Sequence, residues 1–297
     1  MTQGPYAGIV TRLFPGAELE SMERLTGGVS ADVHRLDLVL ADGTATRVIL
    51  RAHGASHCGH SAELEFRLLR ALYRRGVPVP EPLLVDASGL LLADPFLVMA
   101  FVEGSSQVPA AQENHYLDAM ADLLRKIHEL PTDDLPTLPA RNDPLPEVFD
   151  FLPQDPEWND LREHLRALGD TASAESPTLL HGDFWPENLL WQDGAVTAVL
   201  DWEDAALGDP LSDVACCRVE LRYRFGKVGM ERFTQAYAGN REIDLQRLAL
   251  WQVYVAAAAQ RFMGEWGLAP ERVARMRAEA LASIREAGAT LLGQAAS

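Results

Sequence analysis

Basic charge is in short supply in this 297-residue chain: 26 Lys and Arg stand against 43 Asp and Glu, a formal net charge of −17. A surface of that sign repels phosphate backbones and anionic lipid, so neither a nucleic-acid nor a membrane partner is expected. Cysteine is scarce as well. There are three, with Cys58 alone and Cys216 beside Cys217, which is no disulfide scaffold and suits a reducing compartment. Long hydrophobic runs are missing, and a run as long as any, Val253 to Ala259, falls far short of a membrane span. Met1 to Pro15 has no basic stretch followed by an apolar one, so no signal peptide is expected and the expected location is cytoplasmic. Internal repeats and low-complexity tracts are absent too. What is present is the composition of a folded protein, 47% apolar and 23% charged, which excludes a disordered chain. The length suggests about two domains.

The first hundred residues read as strands joined by tight turns. Met22 to Thr26 runs into Gly27-Gly28-Val29-Ser30. Leu36, Leu38 and Leu40 alternate with polar or smaller residues, Asp42-Gly43 makes a hairpin turn, and Thr46 to Ala52 returns as the partner strand. Ala62 to Arg74 reads as a helix that Gly76 stops and that Pro78, Pro80 and Pro82 cannot continue. Leu90 to Val102 reads as a strand pair or one long bent strand. After Gly104 the pattern changes. Leu117, Met120, Ala121, Leu124 and Ile127 share one helix face. A Pro/Asp-rich loop covers Pro131 to Pro146, and Leu161 to Leu168 is a short helix. Leu179 to Trp202 is strand-rich, and helices follow over about Asp213 to Ala238, Leu245 to Trp266 and Pro270 to Leu292. The order predicts an α+β fold of two lobes, a β-rich one over residues 1–103 and a mainly helical one over 104–297. The cleft between them is the natural place for a small molecule.

Chemistry concentrates in His181-Gly-Asp-Phe-Trp-Pro-Glu-Asn188 and in Asp201-Trp-Glu beyond it. Two apolar runs flank Asp193-Gly194, a two-residue hairpin signal. That turn places Asn188 opposite Val199, with Asp201 diagonally across the ladder at about 7–8 Å. Asp183, Asn188 and Asp201 therefore converge at one end of a hairpin. Two carboxylates and an amide oxygen suit Mg²⁺, which takes a few protein oxygens and completes its shell with water and phosphate. In that reading Asn188 and Asp201 hold metal, and Asp183 is left to accept a proton from an attacking hydroxyl.

This pattern resembles the aminoglycoside phosphotransferase and choline kinase-like family of protein-kinase-like small-molecule phosphotransferases. Asp183 matches that family's catalytic base, Asn188 a metal ligand, and Asp201 the metal-binding Asp that follows the hairpin. Trp202-Glu203 after Asp201, and the later Gly208-Asp-Pro-Leu-Ser-Asp213, also look like the small-molecule branch. The resemblance spans about Leu25 to Asp213. It implies transfer of the γ-phosphoryl group of ATP, or GTP, with Mg²⁺, to a hydroxyl of a small molecule: aminoglycoside-like, an amino alcohol or a sugar.

It also implies a nucleotide site on the first lobe. Gly27, Gly28 and Ser30 sit where such folds close a loop over phosphates, and glycines there let backbone N–H groups approach. Arg51 occupies the strand position of the phosphate-positioning cation, with Glu65 as its best partner and Glu63 second. Protein kinases carry Lys there. Arg keeps the charge, but the departure leaves a second reading, a catalytically weak nucleotide-binding module. Met99, Ala100, Phe101 and Val102 match the last strand and hinge, where the backbone of Ala100 to Val102 would meet adenine. A plain buried strand has the same residue types.

His181 is expected to support the loop from behind, with Asp213, or else Asp209, anchoring the loop backbone. A metal-dependent hydrolase using His181, Asp183 and Asp201 is a remote third reading. His53, His57, Cys58 and His60 cluster within eight residues in no trusted zinc spacing. Trp185 either stacks on substrate or packs in the core, and Trp251, Tyr254, Phe262 and Trp266 read mainly as core. Glu203 and Asp204 beside the site weakly favour a cationic acceptor.

Overall fold

Eight residues of strict alternation set the first layer. In the computed structural model, which describes residues 6–25, 31–54, 59–169, 171 and 176–293, the first elements are α1 (Tyr6–Leu13), β1 (Glu18–Leu25), β2 (Asp32–Val39), β3 (Ala45–Ala52), α2 (Ala62–Arg74), β4 (Pro82–Asp86) and β5 (Phe96–Ala100). The five strands form one sheet in the order β1-β2-β3-β5-β4, antiparallel at every step. Leu36, Leu38, Val48, Leu50, Phe96 and Val98 project from one face into a core with Ile9 and Val10 of α1. Full burial of such a side chain contributes about 1.5–3 kcal/mol. Because side chains alternate, Ile49, Arg51, Leu97 and Met99 lie on the other face. Leu97 and Met99 pack there with Leu68, Leu69 and Leu72 of α2.

Helix α2 spans the residues its pattern predicts. Ser61 caps it by accepting the Leu64 N–H at 3.3 Å, and Glu63 and Glu65 sit in its first turn, where the helix dipole favours negative charge. Helix α1 has no counterpart among the expected elements, and two strands differ from expectation. β4 begins at Pro82, straight after a proline run that reads only as a helix stop. It is an edge strand, where a first-residue proline removes no needed ladder donor. The strand pair or long bent strand expected over Leu90 to Val102 contracts to β5, since residues 88–94 form bends and Leu90 is 87% exposed.

The second lobe contains α3 (Glu113–His128), β6 (Ala140–Arg141), α4 (Val148–Phe151), α5 (Asn159–Leu168), β7 (Thr178–Leu180), β8 (Leu189–Gln192), β9 (Ala195–Val199), β10 (Ala206–Gly208), α6 (Pro210–Ala238), α7 (Leu245–Phe262) and α8 (Pro270–Leu291). The predicted stripe of α3, Leu117 to Ile127, is buried and shares a core with Val214, Ala215 and Leu221 of α6. A second core joins α7 and α8 to α4 and α5 through Val148, Leu161, Leu165, Val253 and Ile284. β10 lies between β6 and β7, and β8 and β9 form a separate hairpin. Its turn has Asp193 at φ 51° and Gly194 at φ 84°, the two positive values a type I′ turn needs. The core that begins at Leu97 and Met99 continues through Phe184, Leu189 and Trp202, so the lobes meet through packed apolar contacts. Among the described residues no helix is long and apolar enough to cross a membrane.

Candidate active site

A buried carboxylate fixes the loop after β7. Asp213, in the first turn of α6, accepts the N–H groups of His181 at 2.7 Å and Gly182 at 2.9 Å. His128 Nε2 lies 3.2 Å from the same carboxylate. Burial opposes its charge, but the hydrogen bond and charge of His128, with those of His181, hold the carboxyl below its ordinary range. The alternative anchor, Asp209, instead caps α6 through the Leu211 N–H and accepts Trp251 Nε1–H at 2.6 Å. Gly182 has φ 89°, and a Cβ there would collide with the Asp204 carbonyl, so the tight approach of the two segments needs glycine.

His181 sits behind the loop, as expected. It is fully buried against Trp202. Its Nε2 donates to the Leu200 carbonyl at 2.8 Å, and its Nδ1 accepts the Asp183 N–H at 3.2 Å. That pairing requires a neutral ring, in keeping with burial, which lowers its pKa.

The three predicted polar groups do converge, with a one-residue correction. A bulge between Leu190 and Trp191 leaves Thr197 unpaired and shifts the register, so Leu189, not Asn188, faces Val199. The Asn188 carbonyl then accepts the Leu200 N–H at 2.8 Å. Asn188 Nδ2 donates to the Asp183 carbonyl at 2.9 Å and to its carboxylate at 3.0 Å, which leaves the amide oxygen pointing away from Asp183. Asp201 takes φ 63°, a left-handed conformation that Asp tolerates better than most residues. Half-buried Asp183 is pushed up to about 7 by burial and by the Asp201 and Asp204 carboxylates.

From the sheet side, period-2 alternation aims Arg51 at the same place. Its Nη1 lies 3.2 Å from Glu65 and 2.8 Å from Asp201, and its Nη2 pairs with Glu203. Glu65, 1% exposed, is the partner, while Glu63 is exposed. Burial works against the guanidinium charge, yet the three carboxylates outweigh it and raise its pKa. His53 lies 3.1 Å from Glu65, and His60 Nε2 meets the Ala205 carbonyl at 2.7 Å. His57 and Cys58 lie outside the described residues, as do Gly27, Gly28 and Ser30.

Arg51, Glu65, Met99, Ala100, Phe101, Val102, Asn188 and Asp201 line one cavity of about 340 Å³ between the sheet and the β8–β9 hairpin. Two amides of this strand end are already used: the Ala100 N–H donates to the Glu81 carbonyl at 2.9 Å and the Phe101 N–H to the Arg47 carbonyl at 3.3 Å. The donor set at the cavity's lower wall, a carboxylate one-third exposed and an amide oxygen turned from its neighbour, is hard oxygen and fits Mg²⁺. Among the described residues no three His, Cys, Asp or Glu side chains form a metal cage.

A second cavity, of about 460 Å³, opens beyond the Asp183 loop. It is lined by Trp185, Pro186 and Glu187 of the loop, Glu220 and Arg224 of α6, and Arg272 and Arg275 of α8. Cys216 Sγ lies 3.8 Å from Asp183, and Glu220 is one turn further along the same helix. Burial, with Asp183 and Glu187 nearby, pushes Glu220 up to about 8. Sequence reading did not single out these Glu and Arg residues. The available signal was Arg272 and Arg275 spaced to share a helix face. The charge it did single out, Glu203, is turned inward onto Arg51. Trp251 is buried, and Phe262 packs on Phe151, as core aromatics.

The model of the phosphotransferase enzyme family matches residues 21–251. Aminoglycoside 3'-phosphotransferase of Streptomyces fradiae is 31% identical over 207 residues, 62% of this chain and 75% of its own. Acyl-CoA dehydrogenase family member 10 of mouse is 30% identical over 182 residues, which cover 52% of this chain but 16% of that protein. Several other acyl-CoA dehydrogenase relatives are matched over only 22% of their length. Among solved structures, a putative aminoglycoside phosphotransferase of Ralstonia eutropha superposes with a TM-score of 0.69 at 19% identity, covering 95% of this chain and 97% of that one. Aminoglycoside phosphotransferase APH(4)-Ia, in a ternary complex with AMP-PNP and hygromycin B, gives 0.65 at 17%, covering 95% and 98%. The two-lobed fold is thus protein-kinase-like, and with a family match running from β1 to α7 the chain belongs to the phosphotransferase enzyme family.

Proposed function

We propose that this protein transfers the γ-phosphoryl group of ATP to a hydroxyl of a small molecule. The carrying observation is the 2.8 Å pair between Arg51 and Asp201. It joins the sheet face bearing Arg51 to the segment bearing Asp183 and Asn188; Arg51, Asn188 and Asp201 border one cavity, and Asp183 adjoins it through its 3.0 Å hydrogen bond from Asn188. Adenine lies against Met99 to Val102, with the Val102 amide as its donor, because the two preceding amides are taken. The hinge is at Gly104, whose φ of 147° and close approach to Leu190 leave no room for a side chain. Arg51, held by Glu65, orients the phosphates. Asn188 and Asp201 hold Mg²⁺, which when bound neutralises charge on the β- and γ-phosphates. Asp183 orients the acceptor and takes its proton. The acceptor oxygen bonds to the γ-phosphorus, and the bond from that phosphorus to the β–γ bridging oxygen breaks, its electron pair leaving on ADP. The raised carboxyl of Asp183 fits a group poised near neutrality. Catalysis of this kind is mainly alignment and electrostatics.

Thermal shift with Mg·ATP and Mg·GTP, followed by ADP or GDP release across a panel of hydroxylated acceptors, tests this. Stabilisation plus acceptor-dependent release is expected. Stabilisation with no transfer to any acceptor would favour a nucleotide-binding module of little turnover, and no stabilisation by either nucleotide would remove the proposal.

A further inference from the structure

The cavity beyond the Asp183 loop is cationic. Three guanidinium groups, Arg224, Arg272 and Arg275, face two carboxylates, Glu187 and Glu220. The chain as a whole carries −17, so this local excess runs against the protein's own charge. The carboxylates do not cancel it. Glu187 alone serves two arginines, Arg272 at 2.8 Å and Arg224 at 3.7 Å. Among the described residues Arg275 pairs with no carboxylate and instead donates to the Tyr223 hydroxyl at 3.0 Å, its guanidinium over that ring. Arg272 Nε is buried without a hydrogen-bond acceptor among the described residues. Burial raises the Glu220 carboxyl, and with both carboxylates counted as charged the three guanidinium groups are still in excess. A buried donor with no acceptor is costly, and a planar guanidinium fork is shaped for carboxylate or phosphate oxygens.

A competing acidic cavity is lined by Asp143, Glu147, Glu203 and Asp204, with Arg141 among them. Three of the four carboxylates are engaged within the protein. Glu203 pairs with Arg51, Glu147 accepts from Tyr254 at 2.8 Å, and Asp143 accepts from the Leu145 amide and Thr171. Among the described residues exposed Asp204 is the carboxylate left open, beside Arg141, so the cavity is a weaker cation site than its composition suggests.

We propose that the acceptor is a hydroxylated anion, a hydroxycarboxylate or a phosphate ester, whose negative group is held by Arg272, Arg275 and Arg224 while its hydroxyl meets Asp183. Trp185, on the cavity wall, covers the apolar part of the molecule. This rests on the phosphotransferase reading and narrows it, and polycationic aminoglycosides are disfavoured by the same arginines. The transfer is the one written above, with the phosphorylated hydroxy anion and ADP as products and the hydroxyl proton on Asp183.

The test is ADP release by the full chain at saturating Mg·ATP over four acceptor sets: hydroxycarboxylates, sugar phosphates, aminoglycosides with amino alcohols, and neutral sugars. One of the two anionic sets should be used with a KM at least about tenfold below the others, and which one identifies the anion. Arg275→Glu should raise that KM by on the order of tenfold or more, with the Kd for Mg·ATP unchanged. Arg275→Gln, a milder change at an exposed residue, should act in the same direction. Amines or neutral sugars used as well as the anions would overturn the inference and leave the kinase standing. So would Mg·ATP binding with no anion phosphorylated, or an unchanged KM in both variants. Failure to bind Mg·ATP at all would remove the phosphotransferase reading itself, and this inference with it.

Discussion

At the residue scale the site is a chain of charge pairs with one cation at its centre. Arg51 is 7% exposed and meets three carboxylates from two distant segments. Removing it leaves Glu65 buried without that partner, a change that costs about 3–5 kcal/mol in comparable buried pairs. Arg51→Ala is therefore expected to lower Tm by several degrees and to raise the KM for ATP. Arg51→Lys, which keeps the charge but loses the fork, should recover most of the stability and less of the KM. A Tm unchanged in Arg51→Ala by differential scanning calorimetry would refute the pairing. Asp201 gives a metal-removal test. Nucleotide affinity of the wild type should fall when Mg²⁺ is chelated, whereas that of Asp201→Ala should be weak and nearly indifferent to chelation. Titration calorimetry with and without chelator distinguishes the two, and equal Mg²⁺ dependence in both proteins would count against Asp201 as a ligand.

Legibility at this scale followed spacing. Asp183, Asn188 and Asp201 were found because a two-residue turn converts sequence distance into spatial proximity. Arg51 and Glu65 came from the family resemblance, which expects a cation on the third strand and a Glu on the next helix; only the packed structure separates Glu65, paired with Arg51 at 3.2 Å, from exposed Glu63. The exact register escaped, since a bulge at Trp191 is set by how Thr197 reaches the Glu103 carbonyl, at 2.8 Å, across 94 residues. The arginine cavity escaped because Arg272 and Arg275 sit on α8 among other charged residues, where nothing separates a ligand-facing arginine from a solvated one until the helix is packed.

At the scale of elements, the loop before β8 is held from beneath by α6. Asp213 is fully buried, and both its oxygens accept backbone N–H groups of the loop. Its carboxyl is depressed in the folded state. The stability it contributes is therefore fully present above its unfolded pKa of about 3.9, and is lost as pH falls through the lower folded value. Asp213→Asn should lower stability at pH 7 by about 1.5–3 kcal/mol, the range for hydrogen bonds to a charged group. It should also make the acid limb of Tm against pH shallower than in the wild type. Superimposable acid limbs would contradict the anchor. Gly182→Ala should be worse than its size implies, because the new Cβ meets the Asp204 backbone. β4 shows how an element can hide: a proline run that ends a helix also opens an edge strand, and only the neighbouring β5 reveals it.

For the molecule as a whole, the two lobes are joined by a core running from α2 through β5 into the hairpin and α6. The sheet face bearing Arg51 and the polar triad therefore belong to one packed body, and the arginine cavity adjoins it through Trp185, Pro186 and Glu187 of the Asp183 loop. The alternation of early strands followed by long helical stripes made this architecture readable, whereas β6 and β10, of two and three residues, are too brief to leave a periodic signal, and α1, of eight, spans only about two turns. The most direct test of the account is single-turnover transfer from Mg·ATP to an acceptor in wild type and Asp183→Asn, with the nucleotide Kd measured in both. The transfer rate should fall by about 10²–10⁴ with the Kd changed by no more than a few fold. Transfer by Asp183→Asn at the wild-type rate would contradict it.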